Sequence, residues 1–110
     1  MKHLKRFEQK NIKELDLTYK DLTELPELPD TLKTLFCFDN KLTELPELPD
    51  TLKTLICYNN KLTELPELPD TLEYLYCSNN NLPYNDLDGY WDWYENVKHP
   101  EIGTSKKYNI

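Results

Sequence analysis

Glycine is almost absent from this chain: Gly89 and Gly103 are the only two in 110 residues. A glycine-rich loop that cradles a phosphate is therefore excluded. The three cysteines, Cys37, Cys57 and Cys77, include no C-x-x-C pair, and His3 and His99 stand near the chain ends, so no zinc site is expected. No D-x-D-x-D-G loop offers a calcium site. No run of eighteen apolar residues exists, so nothing is expected to span a membrane. The opening "MKHLKRFEQK" is basic but lacks an apolar core, which argues against a secretory signal. The closing "KKYNI" matches no lipidation signal. No nucleophile–base pairing is visible, and no enzymatic activity or cofactor is expected.

What is present is repetition. The stretch "LTELPELPDTL" occurs at 22–32, 42–52 and 62–72 without a change. The chain stacks in twenties: 31–50 over 51–70, with 71–90 following and then departing, and 11–30 as a degenerate first copy. The shared frame is L-x-x-L-x-C-x-x-N-x-L, filled by Leu32, Leu35, Cys37, Asn40 and Leu42 and repeated twenty residues on. The net charge of −7 and eight prolines speak for disorder. The strict leucine register outweighs them, because self-similarity at a period near twenty is the signature of a solenoid.

This frame resembles the leucine-rich repeat family. The twenty-residue period and the L-P-x-L-P element are similar to its shortest, bacterial-type subclass, found in effectors of enteric pathogens. Arrays with Cys in the strand are similar to ones in amoebal giant viruses and some bacteria. The resemblance covers about residues 11–83. It implies a short curved solenoid with a parallel β-sheet on one face, and a role in binding other proteins, host proteins among them. Some bacterial-type arrays carry a separate ubiquitin-ligase domain after the repeats; the residues that follow them here are expected to be too few for one.

The residues themselves require such a coil. Pro26 and Pro29 each remove a backbone donor and push Leu25 and Leu28 toward extended geometry, so the repeated stretch cannot be helical. A polyproline II arm, with three residues per turn, places Leu22, Leu25 and Leu28 on one face and Glu24, Glu27 and Asp30 on another. After Asp30 the period becomes two: Leu35 and Cys37 point in, while Thr34, Phe36 and Phe38 point out. One turn cannot bury its own leucines, but about four stacked turns over 11–83 can. Residues 1–10 are read as an N-terminal cap using Leu4 and Phe7. Residues 84–99 form an aromatic C-terminal cap, with Asp86 or Asp88 capping a short helix that carries Tyr90, Trp91, Tyr94 and Val97. Residues 100–110 read as a flexible tail.

Cys37, Cys57 and Cys77 are expected to form an inward ladder of small buried hydrophobes. Three unpaired thiols suit a reducing cytosol. Asn40, Asn60 and Asn80 form a second ladder, whose amides would satisfy backbone groups at each bend. Residues 21–80 hold twelve Asp and Glu against four Lys, a local charge of −8, which argues against nucleic acid. The basic segment "MKHLKRFEQKNIK" is read as part of a solvated cap. The acidic arms are expected to be a solvated face. Calcium binding there, or carbohydrate on the aromatics Tyr90, Trp91, Trp93 and Tyr94, is the alternative.

The variation among copies points to a site. Repeats 31–50 and 51–70 differ only at Phe36/Ile56, Phe38/Tyr58 and Asp39/Asn59, and the next copy adds changes at Glu73, Tyr74, Tyr76, Ser78 and Asn81. All of these positions face outward in the expected register. Phe36, Phe38, Ile56, Tyr58, Tyr74 and Tyr76 would form one exposed apolar surface, and such surfaces mark interaction sites. The expectation is a cytoplasmic, non-enzymatic protein-interaction module; self-association through the same face is the alternative.

Overall fold

The computed structural model describes residues 11–101. Four three-residue strands lie side by side in chain order in one parallel sheet: β1 (Glu14–Asp16), β2 (Thr34–Phe36), β3 (Thr54–Ile56) and β4 (Tyr74–Tyr76). Leu15 is opposite Leu35, Leu35 opposite Leu55 and Leu55 opposite Leu75, so twenty residues of sequence equal one step across the sheet. The ladder runs just past each strand, with Cys37 N–H donating to Ile56 O (2.9 Å) and Cys57 N–H to Tyr76 O (2.8 Å). Its next bond comes from the residue at which the chain turns, as Asp39 N–H donates to Tyr58 O (3.1 Å) and Asn59 N–H to Ser78 O (3.0 Å), and that residue is left-handed. Tyr19, Asp39, Asn59 and Asn79 have φ of 57°, 58°, 58° and 56°. Asn and Asp tolerate that conformation; a tyrosine in it is unusual.

Alternation along each strand sets the core. Leu35, Leu55, Cys37, Cys57 and Cys77 have no exposed surface. The proline-containing segments between strands form neither helix nor strand, yet Leu25, Leu28, Leu45, Leu48 and Leu68 are buried while Glu24, Glu27, Glu44, Glu47, Glu64 and Glu67 are exposed. The three-residue spacing of the leucines accounts for that division. Burying each leucine contributes about 1.5–3 kcal/mol. Successive repeats are also stitched where each begins. Thr31 Oγ1 donates to Ile12 O, Thr51 Oγ1 to Leu32 O and Thr71 Oγ1 to Leu52 O, at 2.6, 2.6 and 2.8 Å.

At Pro83 the chain leaves the repeat. Cys77 N–H donates to Asn85 O (2.9 Å), and Asp86 makes an antiparallel bridge to Tyr76, so this segment lies along the edge of β4. Helix α1 (Leu87–Trp93) follows, with Asp86 as its N-cap accepting from Gly89 N–H at 2.9 Å. A Cβ on Gly89 would stand 3.2 Å from both Asp86 Oδ1 and Tyr84 Cβ, so glycine lets the helix pass close over Tyr84. A π-helical turn, Tyr94–Lys98, completes the segment and is closed by His99 N–H donating to Tyr94 O. Tyr84 and Tyr90 are buried, and Leu87, Trp91, Trp93 and Tyr94 pack against the leucine core. Val97, expected on the same helix face, is instead 67% exposed. The wider i→i+5 winding turns it away from the stripe that an α-helix would have kept. The expected N-terminal cap with Leu4 and Phe7, and the tail beyond Glu101, lie outside the described residues.

Candidate protein-binding face

The sheet register builds the outward face in rows. One row runs Asp16, Phe36, Ile56, Tyr76; the next runs Glu14, Thr34, Thr54, Tyr74. Beyond the strand ends, Phe38 and Tyr58 stack with ring centroids 4.5 Å apart and planes 12° apart. The six residues singled out in the sequence thus occupy three adjacent rows. Their exposure is uneven. Tyr74 and Tyr76 are 56% and 53% exposed, whereas Phe36, Phe38, Ile56 and Tyr58 are half-buried rather than largely exposed. In a parallel sheet in repeat register, each side chain has its counterpart one strand spacing away, and the two cover each other's flanks. β4 is the last strand, so on one side Tyr74 has no strand counterpart and Tyr76 faces only the smaller Asp86 of the bridging segment.

A polar ladder borders these rows at the left-handed residues. Asn79 Nδ2 donates to Asn59 Oδ1, and Asn59 Nδ2 donates to Asp39 Oδ1 (2.6 Å). Behind it stands the second amide ladder. Asn60 Nδ2 donates to Cys57 O in its own repeat and Cys37 O in the preceding one, each at 3.0 Å, while its Oδ1 accepts from the buried Leu42 N–H. Asn80 repeats the pattern with Cys77 O, Cys57 O and Leu62 N–H. Asn40 accepts from two donors, Lys20 N–H and Leu22 N–H, and donates to Leu17 O. Lys20 therefore needs no side-chain amide of its own: the first bend is held by the asparagine of the next repeat.

The three thiols are free and buried. Burial pushes Cys37 and Cys77 up to about 12, and Cys57, also facing its two neighbours, well above the ordinary thiol value. At neutral pH they remain protonated and unreactive.

Charge is divided between the two sides. Residues 42–51 and 62–71 each hold three acidic side chains and no lysine or arginine. Lys33 and Lys53 directly precede strands, and Lys41 and Lys61 directly follow the asparagine bends. Between the arms, Glu47, Leu48, Asp50, Pro66, Glu67 and Leu68 help line a groove of about 480 Å³. Among the described residues no group of three or more Asp, Glu, His or Cys is placed to hold a metal ion. In the C-terminal segment the rings pack on one another: Tyr84 on Tyr90 at 5.1 Å, Trp91 on Tyr94 at 5.3 Å, with Lys98 Nζ 5.5 Å above Trp93.

Residues 71–92 match the Leucine Rich Repeat family model. The match supports a leucine-rich repeat protein, and it spans β4, the Asn80 bend and most of α1. Residues 31–70 carry the same frame, and the four-stranded parallel sheet fits a solenoid of this kind. Leucine-rich repeats generally mediate protein–protein interaction and are typically non-enzymatic. No curated protein matches the chain. Among the described residues no helix is long and apolar enough to cross a membrane.

Proposed function

We propose that this protein is a non-enzymatic protein-interaction module of the twenty-residue, bacterial-type leucine-rich repeat subclass, and that it binds a partner protein through the outward face of its sheet. The observation that carries the reading is the contiguity of Phe36, Ile56 and Tyr76 in one row, flanked by Tyr74 on one side and by the Phe38–Tyr58 stack on the other. Large aromatics supply much contact area at little entropic cost, and exposed clusters of them favour burial under a partner. The three free thiols support a reducing compartment such as the cytoplasm.

The test places a photo-reactive amino acid at position 76 on the face or at position 44 on an arm. Cross-links to a partner from the face alone support the reading; cross-links from the arm alone contradict it. Sedimentation of the free protein separates a foreign partner from a second copy. A dimer lost on changing Tyr74 and Tyr76 to Ser would make the face a self-association surface.

A further inference from the structure

From the charge division we infer that the partner segment received by this face is acidic, carrying Asp or Glu beside apolar anchors. The inference rests on the face being the binding surface. Lys33, Lys41, Lys53 and Lys61 border the rows of Phe36, Ile56, Phe38 and Tyr58, and all four are exposed. They are the only lysines or arginines in residues 21–80, although the acids there outnumber them three to one. A chain this acidic gains nothing in solubility from gathering its few cations along one surface. An acidic partner gains both attraction and register from it.

The ion pairs agree. Lys41 meets Asp21 at 2.8 Å and Lys53 meets Glu73 at 3.6 Å, both between exposed side chains. Exposed pairs of this kind hold weakly and exchange partners readily. Among the described residues no ion pair engages Lys33 or Lys61. Three acids on this side are already engaged, Asp39 by Asn59 and Asp21 and Glu73 in the ion pairs; the first strand differs, because its Glu14 and Asp16 put two carboxylates on the outward face. They would repel an acidic segment and steer it over β2, β3 and β4, where Tyr74 and Tyr76 are most exposed. The acidic arms cannot recruit the same ligand, so charge directs it to one side of the molecule.

The experiment titrates the full chain into fluorescein-labelled peptides in which Leu and Trp alternate with Glu, with Gln, or with Lys, read by anisotropy. The Glu peptide is expected to bind at least about tenfold tighter than the Gln peptide, and the difference is expected to shrink as salt rises toward about 0.5 M. Lys33→Glu with Lys61→Glu should remove the preference. Tyr74→Ser with Tyr76→Ser should remove binding of both peptides, and Glu44→Gln on the arm should change neither. Equal binding of the Glu and Gln peptides, still lost in the tyrosine variant, would overturn the acidic partner and leave the face standing. Preference for the Lys peptide, abolished by arm variants, would overturn both. Absence of binding by any peptide to protein with an unchanged melting temperature would overturn the inference, as would a dimer formed through the face; cross-linking from position 76 would then decide the face by itself.

Discussion

Asn60 shows how one side chain carries a bend. Its amide accepts from Leu42 N–H and donates to carbonyls in two repeats, all in the interior. Asn60→Ala leaves a buried N–H unpaired, and the expected cost is about 1–3 kcal/mol in a urea titration. Asn80→Ala should cost less, because its bend is partly open to solvent that can replace the amide. Tyr19 supplies the opposite case. It is 83% exposed and sits at φ 57° without the side-chain ladder that joins positions 39, 59 and 79. Tyr19→Asn removes most of a strain of about 1 kcal/mol and should raise the urea midpoint; an unchanged or lowered midpoint would contradict the strain. The asparagine and cysteine slots were legible in the sequence because only one residue type fills each of them in the three copies after the first. The threonine stitch was not. Thr31, Thr51 and Thr71 bond across repeats, while Thr23, Thr43 and Thr63 recur at the same period and are exposed. Residue type and period are identical in the two series, so only the fold tells them apart.

Each strand has two faces with different duties. Leu35→Ala or Leu55→Ala removes a side chain with no exposed surface and should cost about 2–5 kcal/mol. Tyr74→Ser and Tyr76→Ser should leave the melting temperature nearly unchanged. Phe38→Ser with Tyr58→Ser falls between, since the stacked pair forfeits about 0.5–1.5 kcal/mol beyond its lost burial. Scanning calorimetry of the three variants orders them: leucine lowest, stacked pair next, exposed tyrosines near the wild type. If the tyrosine variant melts with the leucine variant, the strand register is wrong by one residue. The register of leucine and cysteine was readable from alternation alone. The graded exposure of the outer face was not, because it depends on which strand is last. Nor was Tyr84. It occupies the slot of the exposed Glu24, Glu44 and Glu64, and turns inward only because the chain after Pro83 runs along β4 instead of forming another arm. Proline and the broken repeat marked the departure; nothing in the sequence gave its direction.

The whole molecule is a thin core with buried ionisable groups along its length. Burial raises the thiols from an ordinary value near 9 to about 12 for Cys37 and Cys77, and raises Tyr84 and Tyr90 as well. Below about pH 9 folded and unfolded chains both hold the thiol protons. Between about 9 and 12 the unfolded chain has released them and the folded chain has not. The unfolded state then binds fewer protons, so stability falls as pH rises and this contribution is gone above about 12. The urea midpoint should therefore decline from about pH 9 upward, and Cys57→Ala should decline less steeply than the wild type. Parallel slopes would show that the thiols do not titrate on unfolding. The charge division acts at the same scale, with arms that are acidic throughout and a sheet side that gathers the lysines. The period of twenty made the array legible; the sidedness of charge became readable only once the strands and bends had positions.

The proposed division is that the outer sheet face binds a partner while the inner face holds the fold. The most direct test is one capture experiment at matched melting temperature, comparing the wild type with Tyr74→Ser/Tyr76→Ser by the partner protein each retains from native lysate. The variant should melt with the wild type and retain none of the partner. Equal retention by the two proteins would contradict that division.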